Sequence, residues 1–158
     1  MNKKLITLVL VGAIGFAAIA TAQDKGPHDA AIKGRQAMFQ TYNFNMGILG
    51  AMAKGKAEYN AEIAAQSAAN LNSAAHFGQA AMWPAGSDNA TPGNAETRAL
   101  PAIWSNFADV SEKSNALKMA SEKLAASAGD GLDALKSAMG DVGASCKGCH
   151  DDYRAKRK

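Results

Sequence analysis

The residues best suited to chemistry lie near the C-terminus, in the run Cys146-Lys147-Gly148-Cys149-His150. On a helix, residues i and i+3 project from nearly the same face. Cys146 and Cys149 can therefore both reach one side of a flat porphyrin and form thioether bonds to its two vinyl groups. His150 follows directly and can turn its imidazole to the iron from that side. This is the spacing of c-type haem attachment, so the sequence points to one covalent haem c, with His150 as the metal ligand. Two other chemistries use similar residues. A thioredoxin-like pair sits at a helix start in a βαβ setting, and no strand pattern is visible here. Structural zinc needs four ligands, whereas only three cluster, with His28 and His76 far away in sequence.

The elements that must position this motif read as helices. Alanine, methionine and leucine are plentiful, β-branched runs are absent, and glycine and proline cluster between Trp83 and Pro101. That linker separates two helical pairs. The first helix is expected from about Asp29 to Lys54, with Ile32, Arg35, Phe39, Tyr42, Met46, Leu49 and Ala53 on one seam and Gly55 as its stop. The second is expected over about Asn60 to Phe77, carrying Ile63, Leu71, Ala74 and Phe77. A third spans about Ala102 to Ser127, marked by Ile103, Phe107, Val110, Leu117 and Leu124, with Ser114 and Ser121 interrupting the seam. The fourth shows the clearest pattern, Leu132, Leu135, Met139, Val142, Cys146, Cys149 and Tyr153, which puts both cysteines on its buried face. Four helices with one long crossover predict an all-α, antiparallel four-helix bundle with the haem near the C-terminus.

The N-terminus reads as an export signal. Lys3 and Lys4 precede an uncharged, mostly apolar run from Leu5 to about Ala20, and Ala20-Thr21-Ala22 offers a small-residue cleavage site. The run is shorter than a spanning helix requires. Residues 1–22 are thus expected to be a removed signal peptide, and residues 23–158 a single exported bundle domain. Of 17 basic residues two leave with the signal, so the mature chain is nearly balanced against its 14 acidic residues. A nucleic-acid partner would want a basic face. Only the tail from Arg154 to Lys158 is locally basic, as suits a helix C-terminus.

With these elements in place, the chain resembles the cytochrome c′ family, the class II c-type cytochromes. The resemblance rests on Gly34-Arg35-Gln36 in the first helix, Leu49-Gly50-Ala51-Met52-Ala53-Lys54-Gly55 at its end, Pro101-Ala102-Ile103-Trp104, and Asp141-Val142-Gly143-Ala144-Ser145-Cys146 leading into Cys149-His150 and Tyr153-Arg154. It implies a periplasmic homodimer whose haem is packed on its distal side by an apolar residue. It also implies that Arg35 and Gln36 contact the haem, Arg35 near a propionate, that Phe39 is the distal residue, and that Arg154 lies beside the proximal histidine. The linker departs most from the family pattern, so no haem contacts are carried over to it, and Glu96 and Thr97 are only candidates there. Trp83 and Trp104 read as packing residues.

Low-spin relatives on the same fold carry a methionine as sixth ligand, so Met38, beside Phe39, and Met46 must be weighed. Phe39 is in register with Ile32, Arg35, Tyr42 and Met46, while Met38 is rotated by about 100° and Met46 lies about 10 Å further along the axis. Aligning Leu49 to Gly55 without gaps also puts Phe39 where those relatives carry methionine. A phenylalanine cannot ligate iron. The expectation is a five-coordinate, high-spin haem that binds NO or CO and shuttles electrons with a redox partner the sequence does not name. No distal His/Arg pair favours peroxidase-like enzyme chemistry. Arg35 itself has two readings, a side chain snorkelling to solvent or one buried with an anionic partner.

Overall fold

The computed structural model describes residues 26–157, so the proposed export segment lies outside the described residues. Its helices are α1 (Asp29–Ala53), α2 (Ala61–His76), a short α3 (Ala102–Ser105), α4 (Phe107–Ser127) and α5 (Leu132–Tyr153). A single 3-10 turn, Ala80–Met82, follows α2. α1 packs on α2, α2 on α4, α4 on α5 and α5 on α1, which closes a four-helix bundle. Among the described residues no helix is long and apolar enough to cross a membrane.

Local sequence explains the ends of the first pair. α1 stops where Gly55 takes a left-handed φ of 68°. Gly55 N–H then reaches Met52 O at 3.0 Å and Lys56 N–H reaches Ala51 O at 2.8 Å, which satisfies two of the helix's last carbonyls. α2 starts at Asn60, whose side-chain oxygen accepts from Ile63 N–H at 2.9 Å.

The core is led by Ile32, Leu49, Leu71, Leu124, Leu135 and Val142, all essentially inaccessible. The seams of α1 and α5 pack inward as expected, with Phe39, Met46, Leu132, Met139 and Cys146 partly buried against the core. The α2 seam differs. Its buried face is Ala64, Ala68, Leu71 and Ala75, whereas Ile63 and Phe77 are 50 % and 55 % exposed. Small alanines fill the close approach of neighbouring helices, and Ile63, one position from Ala64, is turned about 100° away.

The expected third helix is broken. Asn106 leaves helical geometry at φ −124° and ψ 40°, dividing α3 from α4. Asparagine is a weak helix former and tolerates such a junction. The break leaves Ile103 inside and Phe107 61 % exposed, correcting the single seam that joined them. Ser121 is fully buried on that seam, its hydroxyl bonded to Lys118 O at 2.7 Å and Asn72 Oδ1 at 3.0 Å, whereas Ser114 is exposed.

The linker is packed rather than loose. Its last residues pair with the chain end: Ala99 forms an antiparallel bridge with Arg154, Leu100 N–H donates to Tyr153 O at 3.1 Å, and Ala155 N–H donates to Arg98 O at 2.9 Å. A second, smaller core forms there from Ala99, Ile103 and Tyr153, with Trp83, Trp104, Val110 and Cys149 against it.

Candidate haem site

α5 carries Cys146 and Cys149 one turn apart, both half-buried and both free thiols. They face different surroundings. Cys146 packs on the main core and Cys149 on the smaller linker core, so the pair spans the seam between the two. Burial pushes both thiols above their ordinary pKa, which keeps them protonated at neutral pH. His150, also half-buried, is held below its ordinary pKa by burial and then by the charges of Arg154 and Arg98. Its imidazole is therefore neutral at pH 7 and has a lone pair to give to a metal.

Aromatic side chains from α1 and the linker gather on the same part of the bundle. Phe39 meets Tyr42 edge-on with ring centroids 5.6 Å apart, and meets Trp83 the same way at 6.3 Å. Trp83 is in turn 6.3 Å from Trp104, whose indole N–H donates to Trp83 O at 3.1 Å. Such offset and edge-on arrangements suit the quadrupoles of the rings. Tyr42 is buried, and its hydroxyl donates to Ala74 O at 3.0 Å while accepting from Gln79 Nε2 at 3.0 Å. Trp83 is thus part of the site region, a role its isolated place in the linker gave no sign of. Only the folding of the linker onto α1 brings it there.

Arg35 does not snorkel. It is 2 % exposed, and its guanidinium is spent on the linker. Nη1 donates to Met82 O at 3.1 Å and Ser87 Oγ at 2.7 Å, and Nη2 donates to Ser87 O and to Thr97 Oγ1 at 3.0 Å. The group also lies 4.6 Å from the centre of the Trp83 ring. Burial lowers its pKa and the nearby Asp88 carboxylate partly restores it, so Asp88 is the compensating charge within the chain. Asp88 is itself held low by hydrogen bonds from Ala90 N–H, Thr91 N–H and the Thr91 hydroxyl, against the opposing effect of burial. Gln36, one position on, donates to Glu96 O at 2.7 Å. Thr97 and Glu96 thus contact first-helix side chains. Arg154 is exposed at the end of α5.

The donor set fits haem c. Two unpaired thiols at i and i+3 on one helix face, a neutral imidazole next to them and a shell of aromatic rings are what a covalently attached, partly buried porphyrin requires.

The comparisons with known proteins decide the family. The family model described as Cytochrome C′ matches residues 30–154, which is nearly all of the described chain. The chain belongs to the cytochrome c′ family. Proteins of this family carry covalently bound haem c, in agreement with the two thiols. The chain is 38 % identical over 138 residues to a cytochrome c-554 of Cereibacter sphaeroides, covering 87 % of this chain and 88 % of that one. Among solved structures it is similar to a cytochrome c′ from Rhodobacter sphaeroides, with a TM-score of 0.78 and 32 % identity over 82 % of this chain and 98 % of that one. It is also similar to a ferrous variant of the cytochrome c′ from Alcaligenes xylosoxidans with bound NO, with a TM-score of 0.68 and 34 % identity over 80 % and 94 % of the two chains.

Proposed function

We propose that this cytochrome c′ is a periplasmic, non-enzymatic haem protein that binds NO or CO at an open iron position and exchanges electrons as a carrier. Residues 1–22 serve as the removed signal and residues 23–158 as the working domain. Cys146 and Cys149 would hold the haem covalently, and His150 would supply the imidazole that ligates its iron. When bound there, haem c supplies an iron that cycles between ferric and ferrous states and takes a small gas.

The observation that carries this reading is the orientation of α1. Both side chains pack partly against the main core, but Phe39 turns toward Tyr42 and Trp83, whereas Met38 also borders a groove between α1 and α2 with Phe44, Asn70 and Phe77. A phenylalanine on the distal side leaves iron without a sixth protein ligand and screens it with an apolar ring. That ring disfavours water and admits a small neutral gas only when it swings aside. Arg35 and Gln36 hold the linker against α1 around this ring, and Arg154 shields His150 from the chain-end side. Because Arg35 has already committed its guanidinium to Met82 O and three linker oxygens, it is poorly placed to act as an acid catalyst.

The same groove supports the homodimer. Phe44 is 69 % exposed, Phe77 is 55 % exposed, and Asn45, although only 3 % exposed, leaves its Oδ1 without a partner among the described residues. A second copy packed there would cover the rings and bring a donor to Asn45.

Absorption spectra of the purified ferrous holoprotein, with and without CO, test the reading of the iron. A broad high-spin Soret band that shifts with CO is expected. A sharp low-spin band indifferent to CO would put Met38 or Met46 on the iron and overturn it. Phe39→Ala should raise the CO association rate about tenfold, equivalent to about 1.4 kcal/mol of barrier. An unchanged rate would remove Phe39 from the gate.

A further inference from the structure

Four cations converge where the linker meets the chain end: Arg98 from the linker, and Arg154, Lys156 and Arg157 from beyond α5. The bridge between Ala99 and Arg154 brings these distant stretches together. Arg98 then donates from Nε to Ala155 O at 2.6 Å and from Nη2 to the same oxygen. Burial and then the charges of Arg154 and Arg157 hold the Arg98 pKa below its ordinary value. Arg98 and Arg154 also act on His150, so this collar adjoins the axial histidine.

Like charges packed together need compensation, and the chain supplies little. Among the described residues none of the four makes an ion pair. The nearest carboxylates are already engaged, Asp151 by Lys147 and Asp152 by Lys113 at 3.1 Å. The C-terminal end of α5 offsets only about half a charge. Residues 26–157 contain 13 Lys and Arg against 13 Asp and Glu, so the described chain is neutral. With four of its cations gathered here beside Asp151 and Asp152, nine cations face eleven acids over the rest of the surface. The molecule is an electrical dipole with its positive pole at the His150 end.

We propose that this collar is the docking surface for an acidic redox protein, which exchanges electrons with the haem through the His150 end of the bundle. The proposal rests on the electron-carrier reading above. A dipole of this kind orients diffusional encounters and raises their rate without demanding tight binding, which suits a transient electron-transfer partner. An anionic bilayer is the weaker match. Four charges give only about millimolar affinity there.

The test compares the wild-type holoprotein with two variants of equal net charge. Lys156→Glu with Arg157→Glu alters the collar, and Lys54→Glu with Lys56→Glu alters the exposed turn after α1. Binding to poly-L-glutamate at low ionic strength should weaken about tenfold in the collar variant, stay near wild type in the control, and vanish near 0.5 M salt. Reduction of the ferric holoprotein by the anion Fe(EDTA)2− should slow severalfold in the collar variant alone, and reduction by the cation hexaammineruthenium(II) should speed up. Equal effects of the two variants would mean that net charge alone matters and would overturn the proposal. Collar-dependent binding to phosphatidylglycerol vesicles stronger than that to polyglutamate would overturn it in favour of a lipid surface. Collar-dependent polyglutamate binding without reduction by either complex would sink the electron-carrier reading and leave an acidic docking surface in place.

Discussion

Phe39 and Met38 differ by one position on α1, yet they meet different surroundings. Both are partly buried against the main core, but Phe39 also meets aromatic rings from the linker and its own helix, whereas Met38 also borders a groove between α1 and α2. On the proposed reading, that 100° rotation decides whether a methionine or a phenylalanine would lie over the iron. Tyr153 shows the same dependence on placement. It is buried three residues after His150, and its hydroxyl donates to Asp109 Oδ2 at 2.6 Å across to α4. Ionising it would set a phenolate against a carboxylate, so that hydrogen bond first, and burial second, push its pKa up to about 12. The raised value makes the sign clear. The bond's contribution to stability is complete below the ordinary tyrosine pKa of about 10 and is lost as pH rises from there to about 12. A tyrosinate absorbance titration should show a step near pH 12 that disappears in Tyr153→Phe. Ionisation of all three tyrosines by about pH 10.5 would contradict this.

At the level of elements, the helices most easily read from sequence are those whose core face carries large residues. α1 and α5 place Ile32, Leu49, Leu135 and Val142 in the core, and their seams are visible as spacing alone. α2 hides its face among alanines, so Ile63 looked like an anchor and is instead half-exposed. Unfolding of the holoprotein in urea separates the two cases. Leu124→Ala should cost about 2–5 kcal/mol, as expected for a fully buried leucine, whereas Ile63→Ala should cost less than about 1 kcal/mol. Similar losses for both would restore Ile63 to the core. The break at Asn106 was also illegible, because the pattern of apolar residues continues straight through it. What bends the chain there is the need to seat Ile103 and Trp104 in the linker core while α4 joins the main one.

For the whole molecule, two surfaces flank the haem site: the aromatic groove between α1 and α2, and the cationic collar at the chain end beside His150. The groove predicts an isologous dimer, in which the same patch serves both copies. Phe44→Asp should convert the holoprotein to a monomer in sedimentation experiments while leaving the CO-bound spectrum unchanged. A dimer that persists with the charge in place would exclude this face. The collar depends on a bridge between the linker and the chain end, so neither stretch alone reveals it.

The sequence by itself determined the covalent attachment of haem c, the number of long helices, the stop at Gly55 and the register that puts Phe39 on one seam with Tyr42. Each is written in spacings of a few residues, where helix geometry converts position directly into direction. Tertiary structure alone decided which face of α2 is buried, that Trp83, Ser87 and Thr97 close around Arg35, and that Arg98 joins Arg154 beside His150. Those outcomes depend on how a nineteen-residue linker from Trp83 to Pro101 folds back across the bundle. Backbone pairing with the chain end and the burial of one arginine direct that path, and both are contacts between residues far apart in the chain.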